Sequence, residues 1–352
     1  MKQCFGKRRR LRPFLLAIAC LCLLPSCMEN SPGVSESTGF VMGSLWSQKL
    51  IGGEEGRREE VQQKVAESLS QLEKKISWRV SDSEIDLLNQ KAGIDSVELS
   101  EDTYSLLKLS LQIAEDSGSA YQPLILPLSR LWNFDREEFI LPGAEELVEG
   151  EKIVAESVLI LDDNKKRAAL TPSGGGVELG ALGKGAACDL ALSVMEESGL
   201  SGGMISVGGS IGVFGKNDRG DTGWKIGVRD PYGSQSDVLG VITLKDQFVS
   251  TSGTYEKTRK VDGREYHHIL DPATGWPAET ELVSVTVVCG GGAESDGLAT
   301  ACVVLGQEKG EALLRGYGAE GIFIHKNKDI YVTEGLRENF VLQNNHYRLI
   351  NP

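Results

Sequence analysis

Helical and strand-like spacings of apolar residues are segregated along this chain, and that segregation limits its fold more than any other feature. A stretch at 40–52, FVMGSLWSQKLIG, alternates as a strand. Val61, Val65, Leu69, Leu72 and Ile76 then recur every three or four residues and predict an amphipathic helix over 57–77. Ser81 and Glu84 have capping-box spacing and predict a short helix from there through Asn89. A third helix is expected from about Glu101 to Ser117, stopped by Gly118. Beyond it short strands dominate: EKIVAESVLILDD, ISVGGSIGVFG, WKIGVRD, VLGVITLK, LVSVTVVC, GIFIH and DIYVTE, several paired as hairpins across turns such as KNKD. Two helices interrupt them, at about 184–199 and 294–317, the second broken near Gly306. There is no repeating βαβ period and no internal repeat, so the order predicts an α+β fold, not a doubly wound sheet.

The first 27 residues stand apart. KRRRLR is a basic start, FLLAIACLCLL is an apolar run too short to span a bilayer comfortably, and LPSC follows at once. Residues 1–26 are therefore expected to be a lipoprotein signal peptide, with Leu24-Pro25-Ser26-Cys27 resembling a bacterial lipobox that leaves a lipid-modified Cys27. A plain signal peptide that happens to contain Cys27 is the alternative. Residues 27–39 read as a lipidated flexible tether, polar with Pro and Gly, and 40–352 as the folded part. That length and its 40% apolar content suffice for one large domain or two closely joined ones. The expected location is the cell envelope, lipid-anchored to a bacterial membrane and facing the periplasm.

The formal charge is −13, and −19 without residues 1–26, which carry six basic side chains and no acidic ones. Nucleic-acid phosphates want a basic surface, so a nucleic-acid partner is not expected. Past Cys27 the cysteines are Cys188, Cys289 and Cys302, none in a metal-site spacing. They read as small core residues, with one disulfide open by count.

Three stretches carry candidate chemistry. In YHHILDPATGWPA, 266–278, proline fixes its own φ and restricts Asp271 before it, so Asp271-Pro272 and Thr274-Gly275 form a rigid turn that holds His268 still. Alone, this could be a hairpin corner with an outward histidine. Residues 178–185, ELGALGKG, run into the helix AACDLALSVMEE; glycines let amides approach an anion, the helix terminus adds positive potential, and Lys184 supplies a cation. The spacing is neither a Walker A nor a GxGxxG motif. In 295–302, SDGLATAC, a helix would set Asp296 and Thr300 one turn apart, a carboxylate and a hydroxyl able to share a hard cation. A capping aspartate with a back-bonded threonine is the plainer alternative. Together they describe a site for a nucleotide pyrophosphate.

Taken with Val41-Met42-Gly43-Ser44, the run 78–89, Ala120-Tyr121-Gln122-Pro123, Asp189, Val207-Gly208-Gly209 and Ser250-Thr251-Ser252-Gly253, these stretches resemble, in order, the ApbE family of FAD:protein FMN transferases over about 40–340. The resemblance implies a single large ApbE-like domain, related to the T-fold. It implies an enzyme that binds FAD, uses Mg²⁺ to cut its pyrophosphate and transfers FMN to a threonine or serine of an acceptor protein, releasing AMP. By that resemblance Ala181 (through its carbonyl), Asp296 and Thr300 would hold the metal. Met42, Ala120, Tyr121, Gln122, Glu178, Lys184 and Ile269 would line the FAD site, and His268 would be the general base or a charge stabiliser near the attacking hydroxyl. The acceptor implied is a subunit of a membrane redox pump, which a lipid tether would suit. The chain departs from the family at Gln122, where aspartate is usual, at Glu178, a longer acid, and at Ser206 and Ser210, where Asn and Asp are usual. Other expectations compatible with the residues are an FAD pyrophosphatase, a non-catalytic flavin-binding lipoprotein, and an adhesin or solute binder.

Overall fold

In the computed structural model, which describes residues 33–350, the alternation at 40–52 is broken by Met42 and Gly43. Both take left-handed backbone, φ 50° and 68°, and fold the segment into a hairpin of β1 (Val34–Val41) and β2 (Ser44–Ile51). This corrects two expectations. The stretch is two strands, and residues 34–39 of the expected tether belong to β1. The polar run Ser35-Glu36-Ser37-Thr38 can be a strand because, among the described residues, β1 is an edge paired only with β2. The expected signal peptide and Cys27 lie outside the described residues.

Helix α1 (Glu55–Ile76) buries the five periodic residues as expected. Helix α2 (Glu84–Gln90) starts from Ser83, not Ser81: Asp82 is left-handed (φ 63°), and Ser83 Oγ accepts from Asp86 N–H at 2.9 Å. Glu84 does not close a capping box but accepts the Ser100 amide at 2.9 Å. After β3 (Val97–Glu98) and α3 (Glu101–Asp116) come two helices not expected, α4 (Leu126–Trp132) and α5 (Ala144–Glu156). Pro127 is tolerated in the first turn of α4, where its missing N–H has no helical partner to lose. The predicted strand EKIVAESVLILDD is split: its first half continues α5, which buries Leu147, Gly150 and Val154 at helical spacing, and its second half is β4 (Val158–Asp162). β5 (Arg167–Thr171) and α6 (Gly180–Glu197) follow.

The strand-rich part runs β6 (Gly202–Val207), β7 (Ser210–Gly215), β8 (Trp224–Arg229), β9 (Val238–Leu244) and β10 (Gln247–Gly253). Then come β11 (Arg259–Val261), β12 (Arg264–Tyr266), β13 (Leu282–Cys289), α7 (Gly292–Leu305) and α8 (Gln307–Gly316). The chain closes with β14 (Glu320–His325), β15 (Asp329–Val332), β16 (Phe340–Leu342) and β17 (Arg348–Leu349). Gly306, at φ 76°, breaks α7 from α8 as expected.

Nine strands form one sheet in the order β1-β2-β6-β7-β10-β13-β14-β15-β17, antiparallel except for β15 beside β17. Residues of α1, α3, α6 and α7 share a core with Leu50, Ile205, Val207, Val285 and Val287 of this sheet. A second core joins other sheet residues, such as Val213, Val249 and Ile322, to the small sheet β16-β9-β8. The result is mixed helix and sheet in one domain. Cys188, Cys289 and Cys302 are buried free thiols within the first core, so the disulfide open by count is not formed.

Where α6 meets α7 there is no room for a side chain: a Cβ on Gly185 would lie 1.9 Å from the Gly292 carbonyl oxygen. This contact brings the glycine-rich start of α6 against the start of α7 and thereby builds the site. Asp189 fixes it by accepting the Gly292 and Ala293 amides at 2.6 and 2.8 Å, capping α7 from the neighbouring helix. Burial raises the Asp189 pKa above the ordinary carboxylate value, against the lowering effect of those two amides.

Candidate active site

Lys184 and Asp296 meet at this helix junction. Lys184 Nζ lies 3.3 Å from Asp296 Oδ2 and 3.3 Å from the Gly180 carbonyl, while the Gly185 amide donates to the same Oδ2 at 3.1 Å. Asp296 is 2% exposed. Thr300 sits one turn on, its Oγ1 donating to the Asp296 carbonyl at 3.3 Å and lying 3.1 Å from Ser252 Oγ on β10. The plainer alternative for this pair holds in part: Thr300 back-bonds, but Asp296 is no cap, since Asp189 has that role. Ala181 stands in the first turn of α6, next to Gly180.

Tyr121 lies within reach of the charges of both Asp296 and Glu178. Tyr121 is 3% exposed, and burial, then the charges of Asp296 and Glu178, hold its pKa well above the ordinary tyrosine value. Its hydroxyl and Glu178 Oε2 are buried without a hydrogen-bond partner among the described residues. Orphaned buried polar atoms are costly, so this pair is suited to a polar ligand. Asn89 frames Glu178 by a two-way bond to Val177, donating to its carbonyl at 3.0 Å and accepting its amide at 2.6 Å. The Glu178 amide donates to the Pro123 carbonyl at 2.8 Å, tying it to the Tyr121 segment.

Met42, at the β1–β2 turn, reaches the same helix: a Cβ on Gly183 would lie 3.4 Å from its Sδ. Glu73 Oε1 accepts the Met42 amide at 2.8 Å. Gly208, with φ 56°, packs against the Lys184 side chain and Ser44. Gln122 turns its Oε1 to the Leu124 amide at 3.2 Å. Ser210 is buried in a hydroxyl chain, 2.9 Å from Ser250 Oγ, which lies 2.8 Å from Ser295 Oγ. The Ala120 amide closes a turn onto the Ser117 carbonyl, and Ile269 is buried in the main core with its carbonyl accepting from Ala278.

His268 lies just before the predicted turn, which the Gly275 amide closes onto the Asp271 carbonyl at 2.9 Å. Its Nδ1 is 3.0 Å from the Glu256 carbonyl. A carbonyl only accepts, so Nδ1 carries the proton and Nε2 is left basic. Burial, with the positive charges of Lys257 and Lys184 and the neighbouring His267 adding to it, pushes the His268 pKa down to about 4, although the bond to Glu256 opposes the shift. The ring is neutral at pH 7.

A model described as the ApbE family matches residues 42–323, well over half of the chain. The chain belongs to the ApbE family. It is 33% identical over 282 residues to a FAD:protein FMN transferase of Treponema pallidum, covering 76% of this chain and 78% of that one. It is 28% identical over 299 residues to one of Escherichia coli K12, covering 84% and 85%. The solved ApbE protein of Thermotoga maritima superposes with a TM-score of 0.78 at 29% identity, covering 86% of this chain and 97% of that chain. The flavin transferase ApbE of Vibrio cholerae does so at 0.77 and 26%, covering 87% and 99%.

Within this ApbE-family site, the sequence carries no local signal for the roles of Ser252, Asp189, Glu73 or the Glu256 carbonyl. Ser252 and Asp189 stand inside motifs that were visible. Their partners, Thr300 and the α7 amides, are far along the chain, and no local spacing reports such a pairing. Among the described residues no group of three or more His, Cys, Asp and Glu is placed to hold a metal. The candidate donors are instead a carboxylate, a hydroxyl and a backbone carbonyl, all hard oxygens of the kind Mg²⁺ prefers.

Proposed function

We propose that this protein is a Mg²⁺-dependent FAD:protein FMN transferase, which attaches FMN to a threonine or serine of an acceptor protein and releases AMP. The observation that carries it is the convergence of Lys184, Asp296 and Thr300 at the α6–α7 junction, beside the orphaned Tyr121 and Glu178, in a chain whose relatives bear that name.

Asp296, Thr300 and the Ala181 carbonyl would hold the cation, which when bound neutralises charge on the pyrophosphate oxygens. Lys184 and the amides at the start of α6 bind the anionic nucleotide. Glu178 and Tyr121 give buried polar partners to the flavin nucleotide, and Met42 packs beside it. Nε2 of His268 accepts the proton of the acceptor hydroxyl as its oxygen attacks the FMN phosphorus and the bond to AMP breaks. With a pKa near 4 the imidazole is a weak base, but at pH 7 all of it is in the accepting form.

The acceptor is read as a subunit of a membrane redox pump, and the enzyme as a periplasm-facing lipoprotein held through Cys27. Both rest on the family resemblance and the LPSC motif. Incubation with FAD, Mg²⁺ and a candidate acceptor tests the reaction: a fluorescent flavin band on the acceptor together with AMP is expected. AMP without a labelled acceptor would make the protein an FAD pyrophosphatase, and neither product would make it a flavin binder. Cys27→Ala should release the protein from the membrane fraction.

A further inference from the structure

One short segment, residues 132–136, braces both the 256–259 stretch that bonds His268 and the turn that follows His268. Trp132, 1% exposed, donates its indole N–H to the Gly275 carbonyl at 2.7 Å, in the turn that follows His268. Three residues along, Asp135 Oδ1 accepts from Lys257 Nζ at 3.0 Å, and Lys257 directly follows the Glu256 carbonyl that receives the His268 Nδ1 proton. The carbonyls flanking Asp135, those of Phe134 and Arg136, both accept from Arg259, at 2.8 and 2.5 Å. Phe134 stacks on Trp132 with ring centres 5.6 Å apart, so the two grips are one rigid piece. Arg79, from the loop between α1 and α2, closes on Asp135 Oδ2 at 2.8 Å. A closed circuit thus runs from His268 through Glu256, Lys257, Asp135 and Trp132 to Gly275 and back.

We infer that Asp135 is a positioning residue for the transfer reaction, holding the Glu256 carbonyl through Lys257 so that His268 keeps its Nδ1 proton and presents Nε2. The inference rests on the reading of His268 as the base. Lys257 has left-handed backbone (φ 43°), which few residues adopt without outside support. Asp135 provides that support and is itself held charged: burial works against its ionisation, but Lys257 and then Arg79 keep its pKa below the ordinary carboxylate value. The charged and titratable groups acting on His268 are Lys257, Lys184, His267 and Asp135. The Asp135 and Lys257 side chains are 44% and 56% exposed, and exposed pairs contribute little to stability, so the effect falls on ring orientation.

Asp135→Asn and Lys257→Asn test this; asparagine tolerates the left-handed backbone at 257. Each should lower kcat for AMP release from FAD, with acceptor present, about ten- to hundredfold, the scale of a small misplacement, while KM for FAD stays within about twofold. The ¹⁵N shifts of the His268 ring should move from a fixed Nδ1–H tautomer toward a mixture, and Asp135→Glu should restore both readouts in part. Unchanged kcat in both variants, or a fall in kcat with the tautomer intact, overturns the inference. Full transfer by His268→Gln would instead remove the base reading, while the nitrogen shifts in Asp135→Asn would still report whether the strap orients the ring.

Discussion

Lys184 and Asp296 form an ion pair between two helices, 3.3 Å from Nζ to Oδ2, with the aspartate side chain 3% exposed and the lysine 26%. The pair is asymmetric: a buried carboxylate depends on a half-solvated ammonium. Among the described residues, Lys184→Met leaves the Asp296 carboxylate only the Gly185 amide and should cost about 3 kcal/mol in metal-free urea unfolding, the lower end of what breaking a buried pair costs. If Asp296 is a cation ligand, millimolar Mg²⁺ should recover most of that loss. An unchanged midpoint in the variant would mean the pair contributes nothing to the fold.

Asp296→Ala should abolish Mg²⁺-dependent AMP release, a loss of at least about 100-fold, because the one acidic side chain of the donor set is gone. Mg²⁺ titrations in chelator-controlled buffer check this. Full activity of the variant there would remove Asp296 from the metal assignment. Ser252→Ala, which takes away the neighbour of Thr300 Oγ1, should weaken Mg²⁺ dependence by a smaller amount, about tenfold, as loss of an outer partner does.

How much of this was legible depended on the range of the interactions. Val61 to Ile76 and Asp296 to Thr300 are joined by local periodicity, and there the expected elements formed. The Ser81 capping box failed because Asp82 turns left-handed and Glu84 serves Ser100, a partner sixteen residues away. Helix α5 was hidden because it ends one residue before β4, so the helical spacing of Leu147, Gly150 and Val154 runs straight into the unbroken apolar stretch 158–161. The site residues were legible as types in motifs. Their convergence was not, because it depends on Gly185 meeting Gly292 and on Asp189 capping a helix over a hundred residues away.

The acid limb of kcat/KM should fall near pH 4, not near the ordinary histidine value of 6.5, because burial and nearby positive charge keep His268 neutral. The same shift predicts a stability change of known sign. Above pH 6.5 the imidazole is neutral in both folded and unfolded chains. As pH falls toward 4 the unfolded chain takes up a proton that the folded one refuses, so folding should weaken by about 3 kcal/mol across that window. Urea midpoints of wild type and His268→Gln at pH 7 and pH 4.5 measure it: the wild type should lose more than the variant. Equal losses would show that the ring is not held neutral by the fold.

Gly185→Ala should be among the most destabilising single-methyl changes in the protein. Its Cβ would stand 1.9 Å from the Gly292 carbonyl oxygen, and backbone on both sides leaves no flexible group to yield. The helices have to separate, which costs about 3 kcal/mol in a packed core and also draws the Gly185 amide off Asp296. Gly43→Ala makes the comparison: nothing lies within 4 Å of its Cβ, and only the left-handed backbone (φ 68°) opposes it, at about 1 kcal/mol. Thermal unfolding of the two variants should therefore differ clearly, with Gly185→Ala also losing FAD turnover. Equal, small losses would mean that α6 and α7 do not touch at this glycine, and the junction that joins Lys184 to Asp296 would have to be redrawn.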